Sequence, residues 1–284
     1  MPSPKTMRYC LFFRKMMWLV SFVVLFLFLN KTAMAGWILT GTYIDSEGRT
    51  MPQRFFIENN KVKYEMHDFI YIFDLNAKSL ILINIDKLTY CKTTLDAYIS
   101  FKRSMMTQRL GELLKSVPEN ERNQWKEEYT RQISREGTIP AQTGDSVTIN
   151  DTKTDFKMVT YDTDKYAVSV NGLRVEEVWI APALKMDSDF NWAGYFEFMA
   201  ALSLREGDVK LMTSKPYKEL LSAGFPLRRI MYTSVGNNEW QVNLLEEKNI
   251  PDYEFYTPAL CKSVNLQQWF TQPVQKAAAY DDYE

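Results

Sequence analysis

The stretch FIYIFDLNAKSLILINIDKLTYCK, residues 69–92, limits the folds open to this chain more than any other. Its β-branched and aromatic runs, separated by short polar clusters, read as three strands joined by two tight turns. With a turn at Asn76-Ala77, Phe73 falls opposite Leu80 and Tyr71 opposite Leu82, and residues directly opposite share a face. One face is then Phe69, Tyr71, Phe73, Leu80 and Leu82, and the other is Ile70, Ile72, Ile81 and Ile83. An antiparallel sheet commonly leaves one face to water. Two apolar faces therefore require two covers. The amphipathic stretch 95–117, with Leu95, Tyr98, Ile99, Met105, Met106 and Leu110 at helical spacing, supplies one. The other would be the far half of a curved sheet, or a ligand held between sheet and helix.

Around this stretch the pattern is sheet, helices, sheet, helix, sheet. Strands are expected at 36–45, 51–58 and 61–66, with turns at 45–48 and at Asn59-Asn60. Thr93 is expected to cap the helix at 95–117, with Asp96 as its capping-box partner. Pro118 opens a second helix, whose thin stripe of Trp125, Tyr129 and Ile133 puts it on the surface. A loop at 137–145 leads to strands at 155–161, 165–170 and 174–181, the last two joined by Asn171-Gly172. Helices follow near 191–204 and 217–222. A final hairpin pairs 227–233 with 239–245 through Gly236-Asn237-Asn238.

The N-terminus reads as an address. Residues 1–15 carry four bases and no acid, residues 16–29 are apolar apart from Ser21, and Ala33-Met34-Ala35 places small residues two apart. This is the pattern of a secretory signal peptide over residues 1–35, with cleavage before Gly36. The apolar run of about 14 residues falls short of the roughly 20 that a spanning helix needs. No later stretch is long and apolar enough to span, so the mature chain is expected to lack a transmembrane segment and to lie in the periplasm or outside the cell. The whole sequence has 34 Lys and Arg against 35 Asp and Glu, and the leader removes five bases and no acid, leaving the mature chain near −6. Such a balance argues against a nucleic-acid partner, which requires a basic surface to displace counterions.

Chemistry-bearing motifs are few. The single histidine, His67, sits at a turn beside Asp68 and has no partner set for a nucleophilic triad or a histidine-based zinc site. The run Asp187-Ser188-Asp189 begins like a calcium loop, but Trp192 and Phe198 stand where glycine and the closing glutamate belong. The run continues through Phe190 to Asn191, and Asp189 or Asn191 is better read as a cap on the helix that follows. Glu176 and Glu177 are neighbours on one strand, so they point apart or into water. No catalytic residue, metal or cofactor is expected, and the chain is not expected to be an enzyme. Cys91 and Cys261 are the cysteines left after processing. In an oxidising compartment they could form a disulfide, worth roughly 5 kcal/mol in the chain-entropy model for a loop of about 170 residues. Two buried free thiols are the alternative.

The succession GWILTGTYIDSEG, QRFFIENNKVKYE, the 69–92 stretch with its TTLDAY continuation, YAVSVNGLRVEEVWIAP and IPDYEFYTPALCKSV resembles a family of uncharacterised secreted bacterial proteins. These are similar in layout to the lipoprotein-localisation fold of periplasmic carriers and receptors. The resemblance implies a mainly β protein with α: a strongly curved antiparallel sheet, an incomplete barrel, with helices as its lid. It implies a single domain over 36–284, from whose pattern this chain departs by a helical insertion at about 93–134. It also implies non-catalytic binding of a hydrophobic or acyl-chain ligand, for which Phe69, Tyr71, Phe73, Leu80, Leu82, Met105 and Met106 are the candidate lining. The alternative is an envelope scaffold whose interior is filled by side chains and whose partner is another protein.

Overall fold

The computed structural model describes residues 36–135, 146–185, 190–202, 206–233 and 236–271. The leader and the loop at 137–145 lie outside these residues. From Gly36 onward the chain forms one compact unit.

Six strands open it as an antiparallel meander: β1 (Gly36–Ile44), β2 (Thr50–Glu58), β3 (Lys61–Met66), β4 (Phe69–Asp74), β5 (Ser79–Asn84) and β6 (Thr89–Thr94). Short polar side chains close the turns between them. Asp74 Oδ1 accepts from the backbone N–H groups of Asn76 and Ala77, and Asn84 Oδ1 accepts from that of Lys87. Asn59, Asn60, His67, Lys78 and Leu88 take positive φ, a conformation Asn tolerates and Leu resists. Helices α1 (Leu95–Ser116) and α2 (Arg122–Arg135) follow, then β7 (Val147–Met158), β8 (Tyr161–Val170) and β9 (Leu173–Ala181). Next come α3 (Trp192–Leu202), α4 (Glu206–Thr213) and α5 (Lys215–Ala223), and then the hairpin β10 (Phe225–Thr233) and β11 (Gly236–Lys248). A 3-10 turn (Asp252–Phe255), the short β12 (Lys262–Ser263) and α6 (Leu266–Thr271) complete the described chain.

All twelve strands join one sheet in the order β12-β6-β5-β4-β3-β2-β1-β11-β10-β9-β8-β7. The sheet is large, curved and unclosed, and antiparallel except where β12 meets β6. The β1–β11 pairing slips at Thr40/Gly41. There a Cβ on Gly41 would lie 2.4 Å from the Gln241 carbonyl oxygen, so only glycine allows the two backbones to approach this closely.

Several boundaries differ from the sequence reading for identifiable reasons. Thr94, not Thr93, caps α1, its Oγ1 accepting from the Ala97 N–H at 3.2 Å. Thr93 is still in the sheet, opposite Leu80. Pro118 begins a turn, with Glu121 N–H bonded to the Pro118 carbonyl, and α2 starts only at Arg122. The strand expected at 155–161 is really the end of β7 and the start of β8. Val159 turns the chain at φ 56°, and a β-branched residue in that conformation carries no turn signature. Gly236, Asn237 and Asn238 do not form the last hairpin's turn; they belong to β11, opposite Thr233, Tyr232 and Met231. Helix α4 was not legible in the sequence.

The pairings Phe73↔Leu80, Tyr71↔Leu82 and Ile72↔Ile81 are those the pattern demanded. The two apolar faces therefore separate as expected. Phe73, Leu80 and Leu82 join a cluster with Leu95 and Tyr98 of α1 and Phe198 and Ala201 of α3, with Trp269 and Phe270 of α6 packed against it. Ile72 and Ile83 join Ile38, Phe56, Ile250 and Phe255 on the other side. The cover on the isoleucine face is a part of the chain that the sequence pattern did not assign to it. It is the chain's own C-terminal segment, which brings Ile250, Phe255 and Cys261 onto the isoleucine face. That segment then rounds the sheet at β6, where β12 pairs, and lays α6 on the opposite face.

Candidate functional site

Register transfers a face from strand to strand, because laterally paired residues point the same way. Leu39 pairs with Phe55, Phe55 with Tyr64, Tyr64 with Tyr71, Tyr71 with Leu82 and Leu82 with Cys91. The next row is Gly41, Gln53, Met66 and Phe69, and beyond it come Tyr43, Met51 and Trp240. This is the face that carries α1, α3 and α6. On β1–β6 no Asp, Glu, Lys or Arg lies on it. Arg54, Glu58, Lys61, Lys63, Glu65, Asp74 and Lys92 all alternate onto the other face. There Lys63 bridges Glu65 at 2.7 Å and Glu254 at 2.8 Å while lying over the Phe56 ring.

The uncharged face has a sealed end and an open end. At the sealed end Asn191 anchors α3. Its Oδ1 caps the helix by accepting from Gly194 N–H at 2.9 Å, and its Nδ2 donates to the Leu75 carbonyl at 3.0 Å and to Asn76 Oδ1 at 3.1 Å. The backbone N–H of Asn191 reaches Asn60 Oδ1. The cap read from the calcium-like run is therefore Asn191, while Asp187, Ser188 and Asp189 lie outside the described residues. Two hairpin turns thus fix the helix, and Phe198 meets Phe73 at 5.0 Å between ring centroids.

At the open end the rings stand in a row. Phe55 and Tyr64 stack at 4.5 Å and 22°, Tyr64 and Tyr71 at 6.0 Å and 22°, and Trp240 meets Phe55 edge to face at 5.6 Å. Phe55, Tyr64, Tyr71 and Tyr43 remain half-buried. The phenols are nonetheless recessed. Burial pushes Tyr64 well above the ordinary tyrosine value, with nearby Tyr71 and Tyr43 adding to the shift and a hydrogen bond with Gln53 opposing it. Burial alone raises Tyr71. Tyr64 Oη lies 3.3 Å from Met66 Sδ, a weak acceptor. Tyr71 Oη makes no hydrogen bond among the described residues. The Trp240 Nε1–H is buried with no hydrogen-bond partner among the described residues, a state that costs roughly 1–3 kcal/mol.

The raised phenol pKa values set a sign. The folded chain holds protons on Tyr64 and Tyr71 above pH 10.0, where the unfolded chain loses them. The associated stability is thus complete below that pH and falls as pH rises past it. Tyr64→Phe is expected to flatten the alkaline decline, read as the urea midpoint against pH. An unchanged alkaline slope in that variant would contradict the assignment.

The sequence-predicted lining divides. Phe69 and Tyr71 belong to the open end, with Trp269 standing edge-on to Phe69 at 6.3 Å. Phe73, Leu80 and Leu82 expose 3%, 0% and 1% of their surface and belong to the packed interior. Met105 and Met106 lie on the half-buried middle of α1, outside the cluster formed by that helix's first turns. Sequence reasoning missed Tyr43, Gln53, Phe55, Tyr64, Met66 and Trp240. Extending the strand alternation from Tyr71 to Tyr64 and Phe55 was the signal available.

Cys91 and Cys261 are both free thiols, and the disulfide drawn between them is not formed. Cys91 is buried on the face of Leu82, while Cys261 packs with the isoleucine cluster, so the sheet separates them. Glu176 and Glu177 point apart as expected, but not into water. Glu176 is fully buried, accepting from Arg229 Nε and, at 2.7 Å, from Tyr217 Oη. Glu177 pairs with Lys165 and Arg174 at 3.0 Å each. His67 lies at its turn with Nδ1 2.7 Å from Asp68. Among the described residues no group of three or more His, Cys, Asp or Glu is placed to hold a metal ion, and no helix is long and apolar enough to cross a membrane.

No family model matches this chain, and no curated protein does. Solved structures share part of the backbone course. An uncharacterized conserved protein from Thermus thermophilus is 8% identical with a TM-score of 0.40, over 83% of this chain and 93% of that one. PNGF-II is 10% identical with a TM-score of 0.35, and this chain spans 32% of its length. MucB of Pseudomonas aeruginosa, in a complex with MucA, is 11% identical with a TM-score of 0.32, over 81% of this chain and 58% of that one.

Proposed function

We propose that this chain is a non-catalytic binding protein of the periplasm or cell exterior, and that it holds a hydrophobic or lipid-like ligand on the open end of its uncharged sheet face. One observation carries this reading: the half-buried row Phe55, Tyr64 and Tyr71 beside Trp240, on a face from which every charge of six strands has been excluded. Aromatic side chains with a few neutral polar groups are a recurrent lining of ligand sites. The leader-like N-terminus supports the location. Solvent extraction and native mass spectrometry of protein purified from its own host test the reading. Co-purifying lipid is the expected result, and a stripped protein with no affinity for any apolar molecule would end it.

A second reading is favoured by the sealed end. Phe73, Leu80 and Leu82 are packed solid against α1 and α3, as in a scaffold whose partner is another protein. In-cell crosslinking that captured one protein stoichiometrically would favour it.

A further inference from the structure

We infer, resting on the ligand-binding reading above, that the open end selects uncharged amphiphiles. A chain bearing an ester, amide or hydroxyl should bind in preference to the same chain bearing a carboxylate. The register is the first ground. No position of this face on β1–β6 carries a charge, so nothing there compensates a carboxylate for the water it sheds on entry.

Two cations on this side of the sheet are engaged. Arg229, beside Trp240 in the register, is taken by Glu176 and by Tyr217 Oη at 2.9 Å. Lys102 of α1 donates to the Ala201 carbonyl at 2.9 Å. What the face offers instead is neutral donors: the Tyr71 hydroxyl, the Tyr64 hydroxyl with only a thioether beyond Gln53, and the buried, unpartnered Trp240 N–H, whose ring meets Phe55 edge to face. A carbonyl oxygen satisfies such donors without bringing a charge.

The test uses the full mature chain loaded with Nile red, a neutral probe, and follows its displacement at pH 8 by 1-monooleoylglycerol or by oleate below their aggregation concentrations. Monooleoylglycerol is expected to act at about tenfold lower concentration than oleate. Tyr71→Phe should raise the monooleoylglycerol requirement about threefold to tenfold, the loss of one hydrogen bond. Tyr43→Lys, which places a cation at the rim, should shrink or reverse the preference. Uptake of Nile red with oleate equal to or better than the monoglyceride overturns this inference and leaves the binding reading standing. Failure to take up Nile red or either lipid overturns both.

Discussion

Glu176→Ala is expected to lower the unfolding free energy by about 3–5 kcal/mol, because it strands a buried guanidinium without its counter-charge. Glu176 is 0% exposed on β9, and Arg229 on β10 donates its Nε to that carboxylate. Tyr217 of α5 closes the group, donating to Glu176 Oε2 at 2.7 Å and accepting from Arg229 Nη2 at 2.9 Å. Carboxylate, phenol and guanidinium thus all find partners in one another, which fixes α5 on the sheet in one register. The cluster beneath it, with Val178, Ile180, Leu220 and Leu221, depends on that placement. Tyr217→Phe removes one hydrogen bond and should cost about 1–2 kcal/mol. Replacing Glu176 by Leu together with Arg229 by Met should recover much of the single-variant loss, since a buried pair contributes less than the penalty for breaking it. Urea unfolding of the parent and these three variants measures this. A loss below about 1 kcal/mol in Glu176→Ala would mean that water reaches Arg229.

Leu80→Ala and Leu82→Ala are each expected to cost about 2–5 kcal/mol, as much as Ile72→Ala on the other face. All three side chains are almost wholly buried, and Leu80 and Leu82 lie under the packed ends of α1 and α3. A hollow interior would make the leucine losses smaller than the isoleucine loss. The same unfolding series should show Tyr71→Phe within about 1 kcal/mol of the parent, because its phenol gives up no bond to a described residue. A leucine loss well below that of Ile72→Ala would reopen the sealed end as ligand space.

What was legible in the sequence was local and periodic. Side chains alternate strictly along a strand, so the Ile70–Ile83 and Tyr71–Leu82 pairings followed from the position of one turn, and the separation of the two faces with them. Short Asp and Asn turns marked the six-strand meander, because those side chains bond their own backbone. The same alternation had already sorted the charges of β1–β6 onto one face, although no single strand made that visible. Where a turn used Val159 at positive φ, or a strand began with Gly236, the local code misled, since packing imposed a conformation those residues do not advertise.

Tertiary structure alone decided what covers each face. Nothing in residues 249–271 announces that they wrap an edge strand, pressing Ile250 and Phe255 on one side and Trp269 and Phe270 on the other. That path also parts Cys261 from Cys91, because a sheet is impassable to side chains however close its two sides lie. The burial of Glu176 likewise required Arg229 and Tyr217 to arrive from distant elements, 53 and 41 residues away. Burial and pairing are sums over neighbours, and the neighbours of a strand are chosen only when the whole sheet has assembled. Hence the sequence could name Tyr71 as a candidate, while only the fold could show that Tyr64, Phe55 and Tyr43 stand half-buried beside it.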